Sequence, residues 1–194
     1  MPDRYKCFEE LAAAHKLGVD YHIRIEDRGS PVVVLAPHGG WIEPHTSQIA
    51  ETLAGVHFSF YAFETLKNGP HGDFHITSSR FDEPEALSIV LKSKVAIAIH
   101  GREDNGDEGI WLGGRAIKLR EEIRAALCDS GFVAEVNEAL PGVEKANICN
   151  RTSSGEGIQI ELPRVLRRKL AKDPERLDAF CTAIRTAVEH MMVV

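Results

Sequence analysis

The 194-residue sequence has no apolar run long enough to cross a membrane, and its first residues, MPDRYKCFEE, lack the apolar core of a secretion signal. A cytoplasmic location as synthesised is the expectation. Four cysteines (Cys7, Cys128, Cys149, Cys181) lie far apart with no C-x-x-C pair, and they read as reduced thiols. No G-x-S-x-G elbow, P-loop or dinucleotide glycine fingerprint occurs, so nothing points to serine hydrolase, nucleotide triphosphate or dinucleotide chemistry. Cys149 next to Asn150 has no surrounding signature of a thiol nucleophile. Long basic runs are missing too, and the formal net charge is −6, so nucleic acid is not an expected partner. No repeat or low-complexity segment divides the chain. At 43% hydrophobic residues it can bury one substantial core, and residues 1–194 read as a single domain. The sequence assigns no oligomeric state.

What is present alternates between strand and helix signals. Tyr21, Ile23 and Ile25 alternate with polar neighbours like a half-exposed strand. PVVVLA (31–36) and KVAIAI (94–99) are continuously apolar and suit central strands buried on both faces. Phe58, Phe60 and Ala62 alternate, and further strands are predicted over 108–113, 132–136 and 157–162. Helices are predicted over 5–16, from a Thr46 or Ser47 cap through Leu53, from Asp82-Glu83-Pro84 to about Ser93, over 117–127, and after Asp173-Pro174 with a stripe of Leu177, Cys181, Ile184, Val188 and Met191. This order predicts a three-layer α/β/α fold with a mixed, mostly parallel sheet. Three long polar segments, 64–80, 101–109 and 138–156, break the rhythm, and loops of that length usually carry function.

The chemistry-bearing residues sit where those strands end. The first central strand runs into Pro37-His38-Gly39-Gly40-Trp41-Ile42-Glu43, the second into His100, and GIQI (157–160) into Glu161. Ligands of open α/β sheets gather beyond the carboxyl ends of the strands. Taken singly, His38 is better explained as part of a Gly-Gly turn and Glu43 as a solvated loop residue. Jointly, two histidines and a glutamate suit one zinc ion with a position left open for chemistry: His38 and Glu43 from a short loop, His100 as the distant third ligand.

Glu161 is the best candidate for a general base. Its strand points Ile158, Ile160 and Leu162 to one face and Gln159 and Glu161 to the other, and a carboxylate in a buried strand needs a partner or a task. The plainer alternative is an ion pair with Arg164. His75 is a rival metal ligand, with His71 four residues before it, but Gly72 and the β-leaning His-Ile-Thr run favour a substrate-facing donor. Arg80 and Arg151 suit a substrate carboxylate, because a guanidinium fork offers two parallel hydrogen bonds, and Asn150 could add an amide donor. Arg80's plainer alternative is a surface pair with Asp82 or Glu83.

Four collinear segments, APHGGWIEPHTSQIAETLAG, FHITSSRFDEPEAL, VAIAIHG and ANICNRTSSGEGIQIELPR, closely resemble the poly-γ-glutamate hydrolase family, phage-type zinc peptidases related to the zinc carboxypeptidases. The resemblance runs from about Tyr5 to Arg168. It implies a carboxypeptidase-like fold, one Zn2+ on His38, Glu43 and His100, Glu161 as the water-activating base, and Arg80 as a carboxylate or oxyanion contact. One departure from the carboxypeptidase pattern is the His38-to-Glu43 spacing, where two intervening residues are usual.

The resulting expectation is a zinc-dependent hydrolase of γ-glutamyl amide bonds that degrades an anionic capsule polymer, with action outside the cell after host lysis for a phage-related enzyme. The acidic segment after His100, Gly-Arg-Glu-Asp-Asn-Gly-Asp-Glu-Gly, would repel a polyanion if it faced the cleft. A zinc amidohydrolase of small N-acylated acidic amino acids is the alternative on the same site. A non-catalytic carboxylate-binding protein with a vestigial metal site is the alternative of another class.

Overall fold

Alternation along one strand sets the layers. Val32, Val34 and Ala36 belong to one hydrophobic core, and Val33 and Leu35 to a second. Strand β2 (Val32–Gly40) is therefore covered on both faces, as its unbroken apolar run demands. The computed structural model describes residues 3–70, 73–103 and 106–193. Within them β1 (Tyr21–Glu26), β2, β3 (Ser59–Thr65), β4 (Val95–Arg102), β5 (Ile110–Gly113), β6 (Ala134–Val136) and β7 (Gly157–Pro163) form one seven-stranded sheet in the order β1-β3-β2-β4-β7-β5-β6. β1 meets β3 and β5 meets β7 antiparallel; the other neighbours are parallel. Helices α1 (Phe8–Ala14) and α3 (Pro84–Lys92) cover one face of the sheet. Helices α2 (Thr46–Ala54), α4 (Ile117–Asp129), α5 (Arg164–Leu170) and α6 (Pro174–Val193) cover the other. The three-layer arrangement is the one the sequence predicts.

The local chemistry explains most boundaries. Glu83 caps α3 by accepting from the backbone N–H of Glu85 (3.1 Å) and Ala86 (2.8 Å), with Pro84 in the first turn. Leu177, Cys181, Ile184 and Val188 of α6 are buried, as their spacing predicts. The expected cap of α2 is corrected. His45 precedes the helix in the left-handed region (φ 76°), and Thr46, already helical, donates its hydroxyl back to the Glu43 carbonyl at 2.8 Å. α1 is shorter than predicted. α5 was not foreseen, because RVLRRKL offers only Leu166 and Leu170 as fully apolar buried positions.

A bulge in β2 decides the position of the site. Ala36 pairs with Ala62 of β3 and Gly39 with Glu64, three residues against two, so one extra residue enters at Pro37-His38. Proline is tolerated inside a sheet at such a bulge. Strict alternation would have aimed His38 at the side of Val34 and Ala36. The bulge turns it instead to the α1/α3 side, where its ring lies 6.1 Å from that of Phe81. Gly40 follows with φ 67°, where any Cβ would lie 2.2 Å from the Thr65 carbonyl oxygen, so only glycine fits. No helix among the described residues is long and apolar enough to cross a membrane. The four cysteines are unpaired, and burial pushes the Cys149 thiol up to about 12, which keeps it protonated and inert.

Candidate metal centre

Three strand ends converge on the α1/α3 side of the sheet. β4 alternates so that Ala96 and Ala98 face that side, and His100 follows in phase. In β7, Ile158, Ile160 and Leu162 pack into the opposite core, which leaves Gln159 and Glu161 facing the site, as predicted. His100 and Glu161 are direct register partners between β4 and β7.

The wide spacing of His38 and Glu43 does not separate them. The Glu43 N–H returns to the His38 carbonyl at 2.9 Å, closing the intervening loop into a tight turn. The two side chains then meet, with His38 Nδ1 3.1 Å from Glu43 Oε1. His38 Nε2 donates to the Ile76 carbonyl at 2.8 Å, which fixes the ring and leaves Nδ1 facing inward. His100 Nδ1 lies 3.1 Å from His38 Nδ1 and 3.7 Å from Glu43 Oε2. Donors around a tetrahedral zinc, with bonds of about 2.0–2.2 Å, sit about 3.3–3.6 Å apart. The three residues are between 2% and 6% exposed. Two imidazole nitrogens and a carboxylate closing on one buried point, with a carbonyl behind His38, make a donor set that fits zinc.

His75 also approaches. Ligand atoms of His38, Glu43 and His75 all lie within 4.8 Å of one another. Its ring lies tilted against that of His38, with centroids 4.1 Å apart and 37° between planes, and its Nδ1 is bonded to Asp3 at 2.6 Å. His100 reaches His38 Nδ1 at 3.1 Å and Glu43 Oε2 at 3.7 Å, whereas the His75 ring meets that of His38 at a tilt of 37°. His71, weighed as a partner for His75, lies outside the described residues.

The electrostatics follow from burial. Burial alone would raise the Glu43 carboxyl, but the charges and hydrogen bonds of His38 and His100 outweigh it and hold the group well below the ordinary range. Burial opposes charge on His100 as well, yet the Glu43 carboxylate 3.7 Å away and the nearby Glu161 charge raise its pKa. Glu161 is pushed up, first by burial and also by the Glu43 charge, against the lowering pull of His100, His38 and Arg102. Glu161 Oε1 accepts from Gln159 Nε2 at 2.9 Å, and Gln159 Oε1 from Asn147 Nδ2 at 2.8 Å. This chain of amides orients the carboxylate. Asn147 carries no signal in the sequence, and the alternation that exposed Glu161 placed Gln159 on its face without giving it a role. Arg164, the alternative partner, lines a cavity along α5 instead.

The remaining candidates divide. Arg80 is 44% exposed at its side chain and pairs with Asp3 rather than with Asp82 or Glu83. Arg151 donates to the Ala146 carbonyl at 2.6 Å and the Ser79 carbonyl at 2.9 Å. Asn150 donates to the Gly142 and Glu144 carbonyls at 2.7 and 2.9 Å and accepts from the Arg115 N–H. The donors of Arg151 and Asn150 thus brace loops, whereas the expectation made them substrate contacts.

The acidic segment after His100 is largely answered by cations. Arg102 bonds Asp107 at 2.6 Å while stacking 3.8 Å from the centre of the Trp111 ring. Glu108 pairs with Lys169 and, at 4.0 Å, with Arg176. Asp104 and Asn105 lie outside the described residues. Lys169 and Arg176 also line a cavity of about 530 Å³ with Arg164, Arg168, Lys172 and Asp173.

Comparison with known proteins places these features. A family model described as poly-gamma-glutamate hydrolase matches residues 5–183. The SPbeta prophage-derived protein YoqZ of Bacillus subtilis (strain 168) is 37% identical over 171 residues, covering 87% of this chain. The match spans 61% of YoqZ, so the chain corresponds to about three fifths of that relative. A bacteriophage poly-gamma-glutamate hydrolase structure superimposes with a TM-score of 0.92 at 28% identity, covering 99% of this chain and all (100%) of the other. A zinc-free apo structure of YndL superimposes with a TM-score of 0.89 at 34% identity, over 96% of this chain and 98% of that one.

Proposed function

The chain belongs to the poly-gamma-glutamate hydrolase family, and on that premise we propose that it is a zinc-dependent hydrolase of γ-glutamyl amide bonds acting on the anionic polymer. The observation that carries the reading is the meeting of His38 Nδ1, His100 Nδ1 and Glu43 within 3.1–3.7 Å, beside a buried Glu161 on the neighbouring strand. His38, Glu43 and His100 would hold the zinc, which when bound supplies a Lewis acid that polarises the amide carbonyl and acidifies water.

The chain's own groups supply the rest. Glu161 removes a proton from the attacking water as the new C–O bond forms, and passes it to the amide nitrogen as the C–N bond breaks; the acid's remaining proton then moves to the amine, leaving a carboxylate and an ammonium. Its raised pKa brings it closer to neutrality, which suits a group that must both take and return a proton. Arg80 and His75 flank the site and serve a substrate carboxylate or the developing oxyanion. Arg151 and Asn150 act through the loops that they brace.

The basic cavity favours the polymer over a single N-acylated amino acid. It gathers Arg164, Arg168, Lys169, Lys172 and Arg176 against one Asp173, on a chain of net charge −6. The helix that supplies several of these cations is joined to the metal loop by Arg167, which donates to the Pro44 carbonyl at 2.6 Å. A purely binding role is disfavoured by Glu161, whose buried charge no binding function needs.

Metal analysis of protein purified without chelator, followed by incubation with poly-γ-glutamate and, separately, N-acylglutamates, tests the reading. Stoichiometric zinc and shortening of the polymer are expected. Turnover of N-acylglutamates alone would transfer the assignment to the small-molecule amidohydrolase. Zinc with no hydrolysis of either would favour the binding role.

A further inference from the structure

A carboxylate already occupies the ground between Arg80 and the metal ligands: the side chain of Asp3. Its Oδ1 lies 2.6 Å from His75 Nδ1, and its Oδ2 accepts the Thr77 backbone N–H at 2.8 Å, the Thr77 hydroxyl at 2.8 Å and the Arg80 guanidinium. The Asp3 side chain is only 5% exposed, whereas Arg80 is 44% exposed. One oxygen thus takes three donors and the other takes an imidazole, the pattern expected of a built carboxylate site. Burial works against the Asp3 charge, yet the His75 and Thr77 hydrogen bonds hold its pKa at about 2.

The donors come from one short stretch of chain, His75 to Arg80, whose turn is closed by the Arg80 N–H on the Thr77 carbonyl at 2.7 Å. The cradle therefore exists without the segment that fills it. It is also next to the chemistry. The His75 ring is 4.1 Å from that of His38, and the hydroxyl of Ser78, the residue after Thr77, lies 3.4 Å from His100 Nε2. By contrast Asp3 comes from a part of the chain more than seventy residues away, and residues 4 and 6 that follow it are exposed. A short exposed segment is easily lifted away.

We propose that Thr77, with Arg80 and His75, forms the subsite for a substrate α-carboxylate next to the scissile γ-amide, and that Asp3 is a tethered competitor which the substrate displaces. This rests on the hydrolase reading for the identity of the substrate, but not for the binding of a carboxylate. A tethered ligand acts at an effective concentration in the millimolar range or above, so its removal strengthens binding of a free carboxylate without any new contact.

The probe is glutarate, titrated by calorimetry into the zinc-loaded protein, with amide hydrogen exchange at Thr77 followed in parallel. Asp3→Ala is expected to bind glutarate about tenfold more tightly than the parent, to lose Thr77 protection without ligand, and to regain it with glutarate. Asp3→Ala combined with Arg80→Ala is expected to lose the gain. Asp3→Asn, which keeps an oxygen for the Thr77 N–H, serves as the gentler variant should Asp3→Ala unfold. Equal or weaker glutarate binding in the folded Asp3 variant, or no return of Thr77 protection, overturns the proposal and leaves Asp3 as a tether for its segment. Failure of the hydrolase reading shows separately, as absent turnover with glutarate binding intact.

Discussion

The Nδ1 atoms of His38 and His100 face each other at 3.1 Å, although simple alternation along their strands would have set the two rings on opposite sides of the sheet. Two inward-facing imidazole nitrogens beside a carboxylate repel or waste their lone pairs unless a proton or a cation lies between them. Zinc is therefore expected to stabilise the fold as well as supply chemistry, because binding to the native state alone shifts unfolding by mass action. Chelation should lower the melting temperature of the parent. His38→Ala and His100→Ala should lose zinc, activity and this chelator sensitivity together. Retention of one equivalent of zinc by both variants would contradict the ligand assignment.

Glu161→Gln separates catalysis from stability. The variant should keep zinc while turnover falls by about 10²–10⁴, the range for a lost general base. The stability effect has the opposite sign. The folded carboxyl has a raised pKa, so its favourable contribution is full below the unfolded value and lost as pH rises through the folded one. At neutral pH the buried charge is a cost that glutamine removes. Denaturant titration of the zinc-free proteins should find Glu161→Gln more stable than the parent at pH 7, with the gap closing in acid. Undiminished turnover would remove Glu161 from the mechanism.

Strand and helix periods made the layers legible, and the apolar runs before His38, His100 and Glu161 pointed to the candidate centre. What alternation could not supply was the side of the sheet. His100 and Glu161 follow in phase with their strands, but His38 reaches them only through the bulge at Pro37. A proline inside an apolar central strand was the available sign. Helix α5 was not legible because its basic face outweighs its two buried leucines, and the loop contacts of Arg151 and Asn150 were not legible because their partners are backbone carbonyls, which leave no pattern in side-chain identity.

Asp3 should leave a signature in acid. Its folded pKa of about 2 lies below the ordinary 3.8, so it contributes stability above the unfolded value that is lost as pH falls through the folded one. Between about pH 4 and 2 the parent should lose a stability increment that Asp3→Asn never had, and the two acid-unfolding curves should converge. Parallel curves throughout that window would show that the carboxylate is not held as described.

The cavity along α5 and α6 predicts a substrate-length effect. Arg168→Glu with Lys172→Glu reverses two of its cations while leaving the metal centre untouched. The Michaelis constant for poly-γ-glutamate should rise about tenfold, with that for a single γ-glutamyl amide little changed, and added salt should narrow the difference by screening. An equal rise for both substrates would place the cavity outside polymer recognition.

Arg167 joins that helix to the metal loop, and its loss should reach the zinc. The residue is 3% exposed, and its side chain donates to the carbonyls of Leu162 at 3.1 Å, Pro44 at 2.6 Å and Arg102 at 3.4 Å. Its guanidinium occupies the space where a Cβ on Gly101 would stand 2.5 Å away, which explains glycine after His100. The Gly101 N–H in turn holds Glu43 Oε2 at 2.7 Å. Arg167→Met keeps the apolar stem but strands three carbonyls, at a cost of about 2–4 kcal/mol. Loosening Pro44 and Gly101 together frees Glu43 from both sides, and outer partners of this kind are worth about 10–100-fold in metal affinity. Chelator competition should show that loss in Arg167→Met, and Gly101→Ala should reproduce it by pushing the same guanidinium aside. A zinc affinity within twofold of the parent in both variants would mean that the metal loop is held without α5.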